Sequence, residues 1–381
     1  MRSLIAGPSY PAGGLPEESG LYHARKSVAL IEDLSLINRA DMKSPPQTAF
    51  VRFVLFASLF IRSLSASPDP ASVKGPEACG ECHKNEVQAW QLTPHFKTFN
   101  DMHRTPEARA IADKLGISRI KSESLCLNCH YTSKVIDGES QVIAGVSCES
   151  CHGAAKAWID VHNDYGGKGA TKATETPEHR EARRAKAAAA GMIYPENLYA
   201  VAANCYQCHI VTDEKLTNVG GHTAGSADFN LLTWSQGMVR HNFLQTDNKS
   251  NAEPAPEHKR MLYVVGGILN LEYSLRAVAR ATEKATYGIT NAHRADAARK
   301  ELARIQSLAP TDELAAIIAV ANGVKLRLNN GPELSAAADK IADLGREFAA
   351  KVTGDRLAGI DSILPGPEQY KGSPFQINAA H

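Results

Sequence analysis

The chain has 381 residues, of which 43% are hydrophobic and 22% are charged, and its formal net charge is +1. This composition is typical of a soluble globular protein with two or three domains, and it excludes a disordered chain, a collagen and a multi-span membrane protein. Because basic and acidic residues balance, the charge gives no indication of a nucleic-acid partner. The unusual feature is the presence of eight cysteines and fourteen histidines, so their spacing must indicate their role.

The first recognisable segment has the pattern of a signal peptide. A short basic start at Met42 precedes the apolar run 53–61, and a small-residue cleavage site follows at Ala66. The apolar run is about nine residues long, too short to span a bilayer, so we expect export without a transmembrane anchor. We therefore predict that residues 1–41 are an upstream segment absent from the mature protein and that residues 42–66 are the signal peptide.

Every cysteine belongs to a C-x-x-C-H motif, and the chain contains four of them. The motifs are Cys79-Gly-Glu-Cys82-His83, Cys126-Leu-Asn-Cys129-His130, Cys148-Glu-Ser-Cys151-His152 and Cys205-Tyr-Gln-Cys208-His209. This pattern attaches c-type haem, because two thiols one helical turn apart bond the vinyl groups while the adjacent imidazole coordinates the iron. The sequence therefore predicts four covalently bound c-type haems whose proximal ligands are the four motif histidines.

Other uses of the cysteines fit the pattern less well. Zinc coordination does not require a histidine after every second cysteine. A thioredoxin-like C-x-x-C normally occurs once, within alternating strands and helices, and disulfides within such tight loops would stabilise little. Because bacterial haem attachment takes place outside the cytoplasmic membrane, the motifs and the signal peptide together predict a periplasmic protein.

The haem motifs lie in a region, residues 67–250, that we predict to be a mainly helical tetrahaem cytochrome c domain with little regular strand. Thr105 followed by Pro106 predicts a helix that ends at Gly116, and Thr176 followed by Pro177 predicts a second one. The latter carries a basic cluster, which we interpret as a solvated helix face because glutamates are interspersed. The cluster consists of Arg180, Arg183, Arg184 and Lys186.

A Pro-rich linker begins at residue 251, and the pattern then changes to long amphipathic runs rich in Ala and Leu. Apolar residues recur at helical spacing, as at Leu262, Val265 and Leu269. We predict that residues 251–381 form a helical bundle and a C-terminal tail, with three or four helices over 257–353. Apolar stripes of this kind favour a structural or docking role over catalysis.

The sixth iron ligand decides what each haem does, because two histidines give an electron carrier and an open position lets iron bind a small molecule. The four candidate distal ligands are His95, His162, His222 and His241. His95 and His162 each follow a tryptophan by about one helical turn, and His222 follows two glycines that allow a porphyrin to approach closely. His103 is a weaker candidate for a distal iron ligand. We interpret the other four histidines as solvated residues: His179, His258, His293 and His381.

The sequence around the first and third motifs resembles the tetrahaem cytochrome c family typified by the electron acceptor of hydroxylamine oxidoreductase in ammonia-oxidising bacteria. The resemblance rests on ACGECHK at 78–84, AWQLTPH at 89–95 and GVSCESCHG at 145–153, the last followed by His162. It implies that distal ligands cross between haems. By this resemblance His95 would pair with His152, and His162 with His83.

The same resemblance implies that a late histidine, His241 or His222, pairs with His209. It also implies that the second haem lacks a protein sixth ligand, so that His130 would be the lone axial residue of a reactive iron. This chain nevertheless offers two late histidines where the family needs one, which leaves open a closed second haem, and it adds the C-terminal bundle.

The pattern as a whole predicts a periplasmic electron carrier that passes electrons between redox protein partners through closely packed haems. An alternative is a haem enzyme that acts on a small nitrogen or oxygen species at an open second haem, with Tyr131 beside the iron. A third interpretation is a sensor or assembly subunit whose bundle holds a partner.

Overall fold

The structure is a computed structural model that describes residues 67–377. The upstream segment, the signal peptide and His381 lie outside the described residues, so those predictions stay predictions. Within residues 67–377, no helix is long and apolar enough to cross a membrane.

Short helices and long loops make up the first half of the described chain. The helices are α1 Pro76–Gly80, α2 Lys84–Gln91, α3 Pro94–Asp101, α4 Pro106–Leu115, α5 Ser124–His130, α6 Cys148–His152, α7 Pro177–Ala189, α8 Leu198–His209, α9 Glu214–Asn218 and α10 Leu231–Ser235. Short 3₁₀ turns at Pro70–Ser72, Met102–Arg104, Ile120–Ser122 and Phe243–Thr246 connect some of them.

Thr-Pro pairs begin three of these helices. The hydroxyls of Thr93, Thr105 and Thr176 each accept a hydrogen bond from the backbone N–H three residues later, and the following proline occupies the first helical position. Gly116 ends α4 in the left-handed conformation, with φ of 70°. The helices predicted after Thr105 and Thr176 are therefore confirmed.

One antiparallel hairpin interrupts the helical pattern, with β1 at Thr132–Ile136 and β2 at Glu139–Ala144. Asp137 and Gly138 connect the strands, and both have positive φ, 52° and 84°. Two successive positive φ values define the tight turn that matches strand twist, and Asp-Gly favours it. The sequence analysis did not identify this hairpin, although its Asp-Gly pair was the available signal.

Four long helices and a 3₁₀ helix form the predicted C-terminal bundle. They are α11 Pro256–Arg280, α12 Thr286–Leu308, α13 Asp312–Asn322, α14 Gly331–Lys351 and the 3₁₀ helix Gly354–Ile363. A last 3₁₀ turn follows at Pro367–Gln369. Helix α11 packs against α12, α14 and the longer 3₁₀ helix, so it lies at the centre and is buried along most of its length. The fold class, mainly α with a helical bundle at the C-terminal side, is confirmed.

The bundle core extends into the region of the haem motifs. Helix α8, which ends in the fourth motif, contributes Tyr199 and Tyr206 to the same buried apolar cluster as α11 and α14. The Tyr199 hydroxyl donates to the buried Glu272 carboxylate, which also accepts from Arg276 Nε at 2.9 Å. A buried carboxylate needs such partners, so this network fixes the position of α8 on the bundle.

Candidate haem-binding sites

Each C-x-x-C-H motif is carried by a helix or by a helix end. The second motif lies within α5, the third forms α6 and the fourth ends α8. In the first motif, Cys79 lies in α1 and His83 immediately precedes α2. Helical spacing of i and i+3 places both thiols of a motif on one face, beside the following imidazole. The motifs therefore have the local geometry that covalent haem attachment requires.

The structure places each of the four motif histidines opposite one of the four predicted distal histidines. In all four pairs the two ring centroids are 6.3 Å apart. The pairs are His83 with His162, His95 with His209, His130 with His222, and His152 with His241. The same separation in four different local contexts indicates a common geometric requirement.

A six-coordinate iron explains that separation. Two metal–nitrogen bonds of about 2 Å, and the roughly 1.1 Å from each nitrogen to its ring centre, separate the two centroids by about 6 Å. Direct packing of aromatic rings spans centroid distances of about 4.5 to 7 Å, so the repetition of one value in all four pairs, rather than the value itself, favours a shared iron. Among residues 67–377, no three His, Cys, Asp or Glu side chains converge as a metal cluster. Each imidazole pair therefore fits the two axial positions of an iron whose other ligands come from a porphyrin.

Hydrogen bonds at Nδ1 of four of these imidazoles also support the interpretation that each pair binds an iron. Backbone carbonyl oxygens accept from Nδ1 of His152, His162, His222 and His241, at 3.0 Å for His152, 2.8 Å for His222 and 2.7 Å for His241. A carbonyl can only accept, so Nδ1 carries the proton and Nε2 keeps its lone pair. Such a bond orients a metal-ligating histidine and fixes its tautomer. In the pair of His95 and His209, His209 Nδ1 lies 3.0 Å from Ser226 Oγ.

Burial favours the neutral form of the His130 and His209 imidazoles. It lowers the pKa of His130 to about 4, with smaller contributions from His222 and His95. It lowers the pKa of His209 to about 4 as well, with contributions from His95 and His130. A neutral imidazole retains the lone pair that iron binds, so both residues are ready to ligate at neutral pH.

The observed pairing agrees with the resemblance at one site and differs at the others. His162 faces His83, as the resemblance implies. His95 faces His209 instead of His152, which faces His241. The implied pairing of His95 with His152 is therefore wrong. The reason lies in α3, where the Thr98 hydroxyl donates to the His130 carbonyl at 2.8 Å and so holds this helix beside the second and fourth motifs.

The second motif also differs from the expectation of an open iron. His130 has a facing imidazole, that of His222, which the resemblance placed at the fourth motif. Tyr131 follows His130 and is only 2% exposed, with its ring covered by Lys121. The expectation that His130 lacks a protein partner is therefore wrong for this structure.

The other histidines do not pair with a second imidazole within residues 67–377. His179 contacts Glu175 at 2.8 Å, which agrees with a helix-surface role. His103 Nδ1 is buried and lacks a hydrogen-bond partner. Burial lowers the pKa of His258.

The basic cluster on α7 is only partly the solvated face that we predicted, because Arg183 binds the Glu175 carboxylate and Arg184 lies 3.0 Å from Glu196.

Contacts between the helices that carry the motifs place the four sites side by side. Helix α1 contacts α6, and α5 contacts α8, where the Cys208 thiol donates to the Asn128 carbonyl at 3.9 Å. The third and fourth motifs meet where Asn204 Nδ2 donates to the Cys151 carbonyl at 2.9 Å. The motifs are therefore neighbours in the order first, third, fourth, second.

Several residues around these sites were not predicted from the sequence. Phe229 stacks on His209 with centroids 4.2 Å apart, and Trp234 approaches the same imidazole edge-on at 5.1 Å. Glu149, inside the third motif, is buried and accepts backbone N–H bonds from Lys74, Gly75 and Ala155 at 2.7 to 2.9 Å. A carboxylate in a segment that must be buried was the available signal for Glu149. The two aromatic residues gave no local signal.

Comparison with known proteins agrees with the motifs. Residues 78–153 match the family described as cytochrome c554 and c-prime. Over 151 residues the chain is 26% identical to cytochrome c-554 of Nitrosomonas europaea, a match that covers 38% of this chain and 63% of the relative. No solved structure matches the chain. These matches confirm the resemblance to the tetrahaem cytochromes c, and they support a c-type cytochrome that carries electrons on covalently bound haem.

Proposed function

We propose that this protein is a periplasmic electron carrier with four covalently bound c-type haems, each held between two histidines. The observation that carries the proposal is the 6.3 Å separation repeated in four imidazole pairs. Each pair combines one motif histidine with one histidine from elsewhere in the chain. Four motifs with four partners support four bis-histidine sites.

The haem iron supplies the one-electron chemistry, and the chain supplies attachment, orientation and spacing. The eight motif cysteines hold the four groups covalently. The carbonyl acceptors on Nδ1 keep the imidazoles of His162, His222 and His241 in one orientation, which would limit rearrangement when the charge of a bound iron changes. The contacts of α1 with α6, of α6 with α8 and of α8 with α5 support an electron path in the motif order first, third, fourth, second.

The His130 and His222 pair favours electron transfer over small-molecule chemistry. An iron with two imidazole ligands has no free position for a nitrogen or oxygen species, so the enzyme alternative would require His222 to leave. His222 Nδ1 donates to the Thr223 carbonyl, which holds the ring in place. This chain thus departs from the open second haem that its family resemblance implies.

A periplasmic location and redox protein partners belong to the same proposal. Both rest on the haem motifs and on the cytochrome c similarity. We assign the bundle a structural role, because α8 shares a core with α11 and α14 and so positions the fourth motif. A docking role for the bundle surface is compatible with this arrangement.

The proposal is tested by the haem content and the electron count of the purified protein. The intact mass should equal the polypeptide plus four haems, and a reductive titration should take up four electrons per chain. A Cys126→Ala, Cys129→Ala double variant should lose one haem and one electron, whereas Ser150→Ala in the third motif should retain all four. A wild-type protein with fewer than four haems would refute the proposal.

A further inference from the structure

A cleft of about 530 Å³ lies beside the second motif, between α4 and the 3₁₀ turn Ile120–Ser122 that precedes α5. None of the eight paired histidines lines it, so it is separate from the iron-binding positions. Its lining residues are His103, Arg109, Ala112, Asp113, Ile117, Ser118, Arg119, Ile120, Lys121 and Ser122.

The charge of this cleft is predominantly positive. Arg109, Arg119 and Lys121 line it together with His103, and Asp113 is the opposing carboxylate. Arg104 lies close enough to lower the pKa of both His103 and Lys121, although burial is the larger cause for each. Across residues 67–377, the recorded ion pairs include none of these cations. The side chains of Arg109, Arg119 and Lys121 therefore share one concave surface with a single carboxylate, that of Asp113, and without a direct ion pair.

Lys121 is held in place before any ligand arrives. Its Nζ lies 3.9 Å from the centroid of the Phe99 ring and 5.6 Å from that of Tyr131. His103 Nδ1 is buried without a hydrogen-bond partner, which is costly unless a ligand or water satisfies it. A buried polar atom, an ammonium group held by two aromatic rings and two guanidinium groups in one cleft are features that bind an oxyanion.

We propose that this cleft binds an oxyanion. The ligand is a carboxylate or a phosphate-like group, and such a group can come from two sources. One is an inorganic oxyanion from solution. The other is a propionate of the haem attached to Cys126 and Cys129, and this second source rests on the proposed function. A concave cleft with an inward-lying His103 suits a small group better than the flat surface of an acidic protein.

Titration calorimetry of the complete holoprotein with inorganic phosphate at low ionic strength tests the first source. Wild type should bind one phosphate, and Arg109→Gln or Arg119→Gln should each weaken binding about tenfold through loss of a charge-assisted hydrogen bond. Arg346→Gln is the matched control, because Arg346 lies on the exposed surface of α14 and pairs with Asp343. Its affinity should equal that of wild type. Phosphate binding that survives both cleft substitutions would overturn the proposal.

A redox titration of the same proteins tests the second source. If a propionate fills the cleft, wild type will not bind phosphate, and Arg119→Gln or Lys121→Gln will lower the midpoint potential of one haem, because a nearby cation favours the reduced state. Arg346→Gln should leave all potentials unchanged. Absence of both phosphate binding and a potential shift would overturn the proposal. Haem content and axial ligation are measured separately, so failure here is distinguishable from failure of the proposed function.

Discussion

The imidazole of His222 faces that of His130, with ring centroids 6.3 Å apart. The segment before His222 makes this approach possible, because Gly221 has φ of +81° and Gly220 lies against the Leu216 carbonyl, where a Cβ would be only 2.5 Å away. The second motif therefore has a facing histidine like the other three, although the family resemblance implies an open iron at this site.

Replacing His222 should open the second haem. In His222→Ala we expect one haem in four to become high-spin and to bind carbon monoxide when reduced, because the distal ligand is lost. Optical and EPR spectra measure both changes. His293→Ala is the control, since His293 is exposed on α12 and faces no imidazole, and its spectra should match those of wild type. An unchanged spectrum in His222→Ala would contradict the assignment.

The crossed pairing predicts which low-spin EPR signal each distal histidine controls. The ring planes of His152 and His241 are 89° apart, whereas those of His95 and His209 are 60° apart. Perpendicular imidazole planes split the iron orbitals least and give the largest g value. His241→Ala should therefore remove the signal with the largest g value, and His95→Ala should leave it intact. Loss of that signal in His95→Ala would instead favour the pairing of His95 with His152.

The ion pair between Arg183 and Glu175, which lies next to His162, predicts that the folded protein loses stability in acid. Arg183 hydrogen bonds, assisted by His179, lower the pKa of Glu175 from 4.5 to about 2, and Arg183 also donates to the His162 carbonyl. Because the folded-state pKa is depressed, this stabilisation is complete above about pH 4.5 and disappears as the pH falls to about 2.

Urea unfolding of wild type and Glu175→Gln between pH 7 and pH 2 measures this effect. The difference in the free energy of unfolding should be largest at pH 7 and should vanish near pH 2. Glu178→Gln is the control, because Glu178 is exposed on α7 and takes part in none of the ion pairs found in the described residues. A pH-independent difference between wild type and Glu175→Gln would show that charge pairing is not its cause.

Close packing of α14 on α8 gives a prediction for stability. A Cβ at Gly345 would lie 2.5 Å from Tyr199 Cε2 and 2.9 Å from Ile268 Cγ2, so Gly345→Ala should destabilise the protein by about 1 to 3 kcal/mol through overpacking. A Cβ at Gly323 would meet its nearest atom at 3.4 Å, and Gly323→Ala should be neutral or slightly stabilising. Denaturant unfolding of both variants measures the contrast. Equal stability of the two variants would contradict the close packing.

Local features of the fold were predictable from the sequence because they depend on neighbouring residues. The four motifs and the Thr-Pro starts at Thr105 and Thr176 act within one helical turn. The apolar stripe of Leu262, Val265 and Leu269 follows helical periodicity, and all three residues are buried. The shared core of α8 and α11 was not predictable, because no local pattern places Tyr199 against Glu272.

The four predicted distal histidines all face motif histidines, but which histidine faces which motif was not predictable from spacing. His95 and His209 are separated by more than a hundred residues, and their approach depends on contacts such as that of Thr98 with the His130 carbonyl. Chain proximity favours neither His152 nor His209 as the partner of His95. Only the packing of α3 on α5 decides between them.

EPR spectroscopy of the oxidised wild-type protein, combined with carbon monoxide addition after reduction, tests the central claim most directly. The account predicts four low-spin bis-histidine haems and no carbon monoxide binding. A high-spin ferric signal from one haem in four, together with carbon monoxide binding at that haem, would contradict it.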